Sequence, residues 1–485
     1  MKRLYDILKQ VEVLERLGPE NPGIKSICFD SRKLEEGGVF YAIRGTRTDG
    51  HDYMDQAIKS GAVAVICEKI PARPAGHICF IRVHDAARAL GWGAAAFYGN
   101  PSEKLMVIGI TGTNGKTTVA TLLYQLYMAA GHNVGLISTV RNMVGDKPLP
   151  ATHTTPDALQ IQQMFSSMAG AGCTFCFMEV SSHAIHQKRT AGIRFGGGVF
   201  TNITHEHLDY HKTFKEYINV KKAFFDQLPA SAFALVNRDD KNGKIMVQNC
   251  PASIKTYGLQ GIADVKGKIL ESHLEGMHLI LDGFDFWSRL VGKFNAYNLL
   301  AVYGCALMSG MEKEQILTLL SEQMPVEGRF ETLQSAKGIT AIVDYAHTPD
   351  ALKNVLTTIE NLRNGNIRII TVVGAGGNRD AGKRKVMGQV AADHSQQVIL
   401  TSDNPRYEKP EDIIKDMIAG VPENKRNDVL AIPDRREAIK TAIMLAREGD
   451  IVLVAGKGHE TYQEIEGKKH PFDDREILQG LLTPK

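Results

Sequence analysis

The sequence lacks the features that mark several classes of protein. No run of about 18 apolar residues occurs among its 485 residues, which argues against a membrane-spanning helix. The formal net charge is only +3, so composition gives no reason to expect nucleic acid or an anionic membrane as a partner. The N-terminal segment has neither a long apolar core nor a small-residue cleavage site, so we expect no secretory signal.

Cysteine is scarce and scattered. The seven cysteines are odd in number, as expected for a protein of a reducing cytoplasm. Cys173 and Cys176 form a CxxC pair, but they lie in the apolar run CTFCFMEV, which is typical of a buried strand. No second Cys/His pair of zinc spacing occurs. We therefore expect two buried thiols rather than a metal or redox site.

The alternation of strand-like and helical segments predicts an α/β protein of three domains. Residues 1–100 carry short strand-like runs, preceded by a predicted amphipathic helix over MKRLYDILKQVEVLERLG. Residues 101–330 open with a strand, a Gly-rich loop and a helix, which predicts a mostly parallel sheet of P-loop ATPase type. A β-rich insert is expected at about 253–291. Residues 331–485 form a second, Rossmann-like α/β unit, and its motifs follow strands, where ligands bind in such sheets.

The segment TGTNGKTT (111–118) is the strongest local signal. Its backbone N–H groups and the following helix N-terminus are suited to phosphate. Lys116 is expected to reach the β- and γ-phosphates and Thr117 to bind Mg²⁺. The general pattern GxxxxGK[ST] puts its first glycine at Ile110, so the match is imperfect. The predicted ATP contacts of this loop are Gly112, Thr113, Asn114, Gly115, Lys116, Thr117 and Thr118.

A Mg²⁺ ion requires more ligands than Thr117 alone. Glu179 ends the strand-like run FCFMEV, and His207 and Asp209 lie in the turn HEHLDYH after another strand. Taken alone, a glutamate at a strand end is more often a surface or cap residue, and a His-rich turn is usually structural. The residues by themselves leave both interpretations open.

Six motifs occur in a fixed order: TGTNGKTT, EVSSHA, TNITHEHLDYH, GKFNAYN, GRFE and DYAHTPDAL. In this series the chain resembles the Mur ligase superfamily, which includes the peptidoglycan amino-acid ligases and folylpolyglutamate synthase. The resemblance covers essentially the whole chain. It implies ATP-dependent amide synthesis, in which a carboxylate attacks the γ-phosphate of ATP and an amine then attacks the acyl phosphate.

The resemblance also implies roles for particular residues. Thr117 and Glu179 would hold the ATP-linked Mg²⁺, and His207 would contribute to a second metal site. Lys221 matches the lysine that the family carbamylates, although composition alone favours a surface helix lysine. Lys116, His207 and Lys221 are therefore the expected catalytic residues. The rest of the ATP pocket is expected at Asn295, Asn298, Arg329, Asp344, Tyr345 and His347.

Within the family, the chain resembles the members that add the third residue of the peptidoglycan stem peptide. The N-terminal DSR segment and the HTTP and SSHAIHQKR segments resemble the groups that contact UDP-N-acetylmuramoyl-L-Ala-D-Glu. Without the family, these segments read as an ordinary turn and a solvated basic turn. The residues expected to bind this substrate are Ser31, Thr154, Thr155, Ser182, Gln187 and Arg189.

The motif DNPR (403–406) resembles that of the meso-diaminopimelate-adding members, whereas lysine-adding relatives usually lack its arginine. Diaminopimelate carries a carboxylate that lysine lacks, and Arg406 can bind it with two N–H groups. Read without the family, DNPR is a turn in which proline fixes the backbone. The residues expected to bind this amine are Arg379, Asp403, Asn404, Arg406, Gly456 and Glu460.

Other functions remain to be weighed. An L-lysine-adding ligase and a folylpolyglutamate-synthase-like ligase are alternatives within the superfamily, and a nucleotide-dependent switch without ligation is an alternative outside it. The DSR and DNPR segments argue against folate, and the acyl-phosphate residues argue against a switch. Residues 241–292 contain no motif that we assign. We expect a monomer whose domains close on their ligands.

Overall fold

The computed structural model describes residues 2–45, 48–150, 153–206, 208–362 and 367–483. The chain forms three consecutive α/β units, each built on its own main sheet. This architecture confirms the predicted α/β class with a mostly parallel central sheet. No helix in the described part of the chain is long and apolar enough to cross a membrane.

The first unit contains a five-stranded sheet in the order β2-β7-β6-β5-β4. Its strands are parallel except for the edge strand β2, which is antiparallel to β7. The elements are β1 (Lys2–Arg3), α1 (Leu4–Ile7), β2 (Val13–Leu17), β3 (Gly23–Ile24), β4 (Ile27–Cys28), β5 (Val39–Tyr41), α2 (Met54–Lys59), β6 (Ala64–Cys67), β7 (Cys79–Val83) and α3 (Ala86–Phe97).

The predicted N-terminal helix is wrong beyond its first turn. Only α1 is helical, and the second half of the segment is the strand β2. Val13 pairs with Val83 of β7 and packs against the core of this unit. Pairing with an open sheet edge satisfies the backbone groups of β7, and this tertiary interaction overrides a weak local helical pattern.

The second unit is an eleven-stranded sheet in the order β11-β10-β9-β12-β8-β13-β14-β15-β16-β17-β18. Its strands are β8 (Met106–Thr111), β9 (Val134–Ile137), β10 (Asn142–Val144), β11 (Lys147–Leu149), β12 (Phe175–Glu179), β13 (Phe195–Phe200), β14 (Phe233–Asn237), β15 (Ser253–Gly258), β16 (Val265–His273), β17 (Gly276–Leu281) and β18 (Phe284–Ser288). The seven middle strands, in the order β9-β12-β8-β13-β14-β15-β16, are parallel to one another. Antiparallel strands form both edges, β10 and β11 on one side and β17 and β18 on the other.

Helices cover both faces of this sheet, as the alternating pattern predicts. They are α4 (Lys116–Ala129), α5 (Ala158–Gly170), α6 (Ser182–His186), α7 (Leu208–His211), α8 (Phe214–Asp226), α9 (Gly243–Met246), α10 (Lys293–Met308) and α11 (Lys313–Ser321). Helices α4 and α10 pack in one apolar core, and α5 and α8 pack in the other. The predicted β-rich insert is not a separate element, since β15 to β18 extend the central sheet.

The third unit is a six-stranded sheet in the order β19-β20-β24-β21-β22-β23, parallel except for β19. Apolar clusters lie on both faces. Its elements are β19 (Glu331–Gln334), β20 (Thr340–Asp344), α12 (Pro349–Leu362), β21 (Ile369–Ala375), α13 (Gly382–His394), β22 (Gln397–Ser402), α14 (Pro410–Ile418), β23 (Val429–Ala431), α15 (Arg435–Leu445), β24 (Ile451–Ala455), β25 (Tyr462–Ile465), β26 (Lys468–Pro471) and α16 (Asp474–Leu482).

The ends of the parallel strands position the candidate site. In the second unit β8 ends at Thr111 and β12 ends at Glu179, in matching register. In the third unit β22 ends just before Asp403 and β24 just before Gly456. Since the carboxyl ends of parallel strands share one edge of a sheet, each sheet presents its predicted residues together.

The two cysteines of the CxxC pair are free and buried, as predicted. Burial raises the pKa of the Cys176 thiol well above its usual value, which keeps the thiol protonated and unreactive.

Candidate active site

The Gly-rich loop between β8 and α4 has the backbone geometry of a phosphate-binding turn. Gly112 and Gly115 have φ values of 151° and 87°, and α4 begins at Lys116 directly after them. A Cβ at Gly112 would lie 1.9 Å from the Thr201 hydroxyl, and one at Gly115 would lie 2.5 Å from the Asn298 amide oxygen. Glycine is therefore required at both positions by conformation and by close contact.

Hydrogen bonds to a neighbouring strand end hold the loop in shape. The backbone N–H of Asn114 donates to the side chain of Asn202 (3.0 Å), and the Thr201 hydroxyl donates to the Asn114 carbonyl (2.6 Å). The Lys116 ammonium lies over the loop and donates to the carbonyls of Gly112 (2.9 Å) and Thr113 (2.6 Å). Burial lowers the pKa of Lys116, so this ammonium lies in a desolvated setting where its charge acts strongly on a ligand.

Glu179 is 1% exposed and has one carboxylate oxygen engaged. That oxygen accepts from the Thr139 backbone N–H at 2.7 Å, and the other, Oε2, is buried without a hydrogen-bond partner among the described residues. A buried carboxylate oxygen without a donor is costly unless a cation binds it. Glu179 and Thr117 line the same cleft, and their oxygens suit a hard cation such as Mg²⁺.

The predicted metal ligand His207 lies outside the described residues. Within the part of the chain that the structure describes, no group of three or more His, Cys, Asp or Glu side chains is arranged to hold a metal ion. Asp209 lines the same cleft as Glu179. The protein side chains described here would thus supply only part of a metal's ligands, and phosphate oxygens are the usual source of others.

Lys221 is buried in α8, which excludes the interpretation as a surface lysine. It is 1% exposed, and its ammonium donates to the Gly112 carbonyl at 2.8 Å. Burial, with repulsion from Lys116, holds the pKa of Lys221 well below its usual value. The next residue, Lys222, instead bonds to Asp226 of the same helix at 2.6 Å. The two adjacent lysines therefore differ in their surroundings, and the burial of Lys221 favours a neutral amine on that side chain.

Residues at the junction of the second and third units lie at the phosphate loop. Arg329 donates from Nη2 to the Thr117 hydroxyl at 3.1 Å, and its guanidinium lies 4.3 Å from the centre of the Tyr345 ring. The Asp344 carboxylate accepts from the backbone N–H of Phe330 (2.7 Å). His347 Nε2 lies 3.4 Å from a Glu206 oxygen in the second unit. The Arg329 contact joins Thr117, at the start of α4, to a residue 212 positions away.

The two asparagines of the GKFNAYN motif, Asn295 and Asn298, have different positions relative to the cleft. Both lie on α10 and are buried. Asn298 lines the cleft and donates to the Asn295 amide oxygen at 3.0 Å. Asn295 lies behind it and donates to the Val291 carbonyl at 2.8 Å.

Four residues predicted to contact the muramoyl dipeptide lie close together. The Thr155 hydroxyl donates to the Glu179 carbonyl (2.8 Å), and the Arg189 guanidinium donates to the Thr155 carbonyl (2.7 Å). Arg189 also donates to the Gln187 amide oxygen at 2.6 Å. The Thr139 hydroxyl donates to Thr154 at 3.1 Å. This hydrogen-bonded wall adjoins the end of β12, next to the candidate metal ligand.

The sixth residue of that set, Ser31, is not brought to the same place. It lies in the first unit, where its hydroxyl donates to the Gln56 side chain at 3.0 Å. A cleft between the second and third units is lined by residues between Thr113 and Glu460. Ser31 is therefore not part of the lining of this cleft.

The predicted amine residues form a connected cluster at the ends of β22 and β24. The Asn404 amide donates to Glu460 (2.8 Å), and the fully buried Lys457 ammonium donates to the Asn404 oxygen (3.0 Å). Burial opposes ionisation of Asp403, but the positive charges of Lys457, Arg435 and Lys383 together hold the pKa of Asp403 below its usual range. Arg406 donates from Nη1 to the Gly377 carbonyl at 2.7 Å and from Nε to Glu464 at 3.2 Å. The guanidinium is thereby fixed before any ligand binds.

A single cleft of about 1720 Å³ between the second and third units brings most of these residues together. It is lined by the predicted residues Thr113, Asn114, Gly115, Lys116, Thr117, Thr118, Thr154, Thr155, Glu179, Ser182, Arg189, Lys221, Asn298, Arg329, Asp344, His347, Arg379, Asp403, Asn404, Arg406, Gly456 and Glu460. Gly112, Gln187, Asn295 and Ser31 are not part of this lining. The arrangement places the predicted phosphate site and the predicted amine site in one cleft.

Sequence reasoning missed several cleft residues. Asp239 and Asp240 follow strand β14, and Asp239 accepts from the Tyr297 hydroxyl at 2.9 Å. Lys383 of α13 donates to the His347 carbonyl at 2.9 Å, and burial lowers its pKa. The signal for the two aspartates was their place at a strand end, after the run FALVN. No comparable local signal marks Lys383.

Comparison with known proteins identifies the family. Three family models match in chain order: "Mur ligase family, catalytic domain" at residues 23–98, "Mur ligase middle domain" at 110–306 and "Mur ligase, glutamate ligase domain" at 328–458. The chain therefore belongs to the Mur ligase family.

Curated relatives and a solved structure match along nearly the whole chain. Proteins of Parabacteroides distasonis and Cytophaga hutchinsonii are 55% and 53% identical, with 99% of each chain covered, and both are named UDP-N-acetylmuramoyl-L-alanyl-D-glutamate–2,6-diaminopimelate ligase. A solved structure of a ligase with that name has a TM-score of 0.66 and 34% identity, and covers 95% of this chain and 94% of its own. The predicted Mur ligase resemblance is thus confirmed.

Proposed function

We propose that the protein is an ATP-dependent ligase that adds meso-diaminopimelate to UDP-N-acetylmuramoyl-L-alanyl-D-glutamate, in the cytoplasmic stage of peptidoglycan precursor synthesis. The observation that carries this proposal is the single cleft lined by Lys116, Glu179 and Lys221 and also by Arg406 and Glu460. The shared name of relatives more than 50% identical supports the same substrates. In this proposal residues 1–100 bind the uridine nucleotide, residues 101–330 bind ATP, and residues 331–485 bind the amino acid.

The first chemical step needs a charge-neutralising phosphate site. The γ-carboxylate of the substrate's D-Glu attacks the γ-phosphorus of ATP, and ADP leaves. Lys116 and Arg329 flank Thr117 at the helix N-terminus, so they can neutralise charge that develops on the phosphoryl oxygens. Bound Mg²⁺, held by Thr117 and by the unpaired oxygen of Glu179, would supply further charge neutralisation.

Lys221 is proposed to carry a carbamate and to hold a second Mg²⁺ together with His207. A neutral amine adds to the carbon of CO₂ and releases one proton, leaving an anionic oxygen donor on the side chain. The burial of Lys221 and the proximity of Lys116 favour the neutral amine that this addition requires. The resulting carboxylate-like group would lie beside Lys116, where its charge is compensated.

The second step joins the amine to the activated acyl group. The amine nitrogen attacks the acyl carbon, phosphate leaves, and the nitrogen loses a proton. The Arg406 guanidinium, fixed by Gly377 and Glu464, is suited to the distal carboxylate of diaminopimelate. Gly456 and Glu460 are proposed to hold its distal ammonium. L-Lysine has no distal carboxylate for the remaining N–H groups of Arg406 to bind, which disfavours the lysine-adding alternative.

The test is an assay of ADP release that crosses UDP-N-acetylmuramoyl-L-Ala-D-Glu with meso-diaminopimelate, L-lysine and L-ornithine. We expect turnover only when both the uridine nucleotide and diaminopimelate are present. Equal or faster turnover with L-lysine would overturn the amine assignment while leaving a ligase of the family. ADP formation that depends on a folate instead would overturn the uridine-nucleotide assignment.

A further inference from the structure

A buried histidine lies directly behind one of the residues proposed to contact the uridine-linked substrate. His211, the last residue of α7, is 0% exposed and does not line the cleft. Its Nε2 lies 2.9 Å from the hydroxyl oxygen of Ser182, at the start of α6. Ser182 does line the cleft. The serine hydroxyl thus stands between the imidazole and the space that the substrate would occupy.

The surroundings of the ring determine which nitrogen carries the proton. The imidazole packs among the rings of His183, Tyr210 and Tyr217, with centroids 4.8 to 5.6 Å away. Its other nitrogen, Nδ1, is buried without a hydrogen-bond partner among the described residues. In protein interiors, an N–H donor without a hydrogen-bond partner is rarer than an acceptor without one. The proton therefore belongs on Nε2, the nitrogen that faces the serine.

We propose that His211 is a positioning residue whose Nε2–H donates to the Ser182 oxygen and turns the Ser182 hydroxyl hydrogen into the cleft, toward an oxygen acceptor of the substrate. The proposal rests on the proposed function, because it takes Ser182 as a contact of the UDP-muramoyl dipeptide. That substrate offers carboxylate, amide and phosphate oxygens as acceptors.

The direction of this hydrogen bond decides what Ser182 recognises. A hydroxyl that already accepts from an N–H uses its own hydrogen for a second partner, so it acts on the ligand as a donor. An imidazole with the opposite tautomer would consume the serine's hydrogen and leave only a lone pair facing a substrate rich in oxygen. The tautomer of a residue outside the cleft therefore sets the polarity of a residue inside it.

The test compares steady-state constants for Ser182→Ala, His211→Phe and the double variant. Removal of a hydrogen bond to a charged group is expected to raise KM for the UDP-muramoyl dipeptide about tenfold in Ser182→Ala. His211→Phe keeps the ring's bulk and is expected to raise the same KM about three- to tenfold. KM for ATP is expected to change less than about twofold in both. Because His211 acts through Ser182, the double variant should match Ser182→Ala.

A matched control and a spectroscopic measurement complete the test. His394 of α13 does not line the cleft and lies 2.9 Å from a Glu360 oxygen, so His394→Gln should leave KM for the dipeptide unchanged. Imidazole ¹⁵N shifts of the histidine-labelled wild-type protein, assigned by the signal lost in His211→Gln, should give Nε2 as the protonated nitrogen. This measurement needs no folded His211→Phe protein.

Each outcome has a defined meaning. The positioning role would be overturned, even in an active enzyme, if the increases in KM of the two single variants multiply in the double variant. A proton on Nδ1 of His211 would overturn it as well. A wild-type protein that releases no ADP with the uridine nucleotide and diaminopimelate would overturn the proposed function instead.

Discussion

Replacement of Arg406 by alanine gives the sharpest test of amine selection. The Arg406 side chain is 20% exposed, and two of its N–H groups are held by Gly377 and Glu464. A charge-assisted hydrogen bond contributes about 1.5–3 kcal/mol, and partial exposure favours the lower part of that range. We therefore expect kcat/KM for meso-diaminopimelate to fall by roughly 10- to 70-fold, which corresponds to about 1.5–2.5 kcal/mol.

The backbone adds little to this difference. Arg406 has a φ of 53°, in the left-handed region, and any L-residue other than glycine meets a similar penalty there. Arg406→Ala thus removes the guanidinium without relieving the turn. Glu464→Gln is the matched control, because it weakens the support of the guanidinium but leaves the charge that would bind the carboxylate.

The assay is ADP release with diaminopimelate and with L-lysine as competing amines. Since lysine has no second carboxylate, its low turnover should change by no more than about threefold in Arg406→Ala. The ratio of the two kcat/KM values should therefore fall while KM for ATP is preserved. An unchanged ratio in Arg406→Ala would remove Arg406 from amine selection, and an equal loss with both amines would mean that it acts only on the loop's structure.

Three other perturbations have defined outcomes. Gly115→Ala should abolish nucleotide binding in a calorimetric titration, whereas Gly131→Ala, also at positive φ but with open space around it, should only lower the melting temperature slightly. Asp474→Asn should lower the free energy of unfolding, measured with urea, by about 3–5 kcal/mol, because it leaves the fully buried charge of Arg435 without its partner. The double variant Arg435→Met, Asp474→Leu should recover most of that loss. In CO₂-depleted buffer, Lys221 has a lowered pKa in the folded chain and its ordinary pKa in the unfolded chain. Between these two pKa values the unfolded chain binds more protons, so the free energy of unfolding should rise with pH. Lys221→Met should flatten that rise, and an unchanged slope would contradict the lowered pKa.

The chemistry of the loop at 111–118 was readable from the sequence, because a strand, a glycine-containing turn and a helix start are local features. The same holds for the residues after β22 and β24, whose strand ends are marked by apolar runs. Alternation of strands and helices likewise predicted the parallel sheets. These inferences need only near neighbours in the chain, where spacing alone constrains geometry.

Other features depend on contacts between distant segments. Residues 13–17 form a strand because they pair with the open edge of β7, and the local sequence pattern did not predict this strand. Lys221 and Lys222 look alike in sequence, and only packing decides that one is buried beside Lys116 while the other pairs with Asp226. Burial depends on what covers a side chain, which the residue's own neighbours do not specify.

The sequence by itself determined the set of reactive groups: a phosphate loop, a glutamate at a strand end, two lysines and the arginine of DNPR. The tertiary structure decided which of them share a cleft and which state each one has. Arg329 reaches Thr117 across 212 positions, and His211 reaches Ser182 across 29. Protonation and hydrogen-bond direction follow from desolvation and from distant partners, and these exist only once the chain has folded.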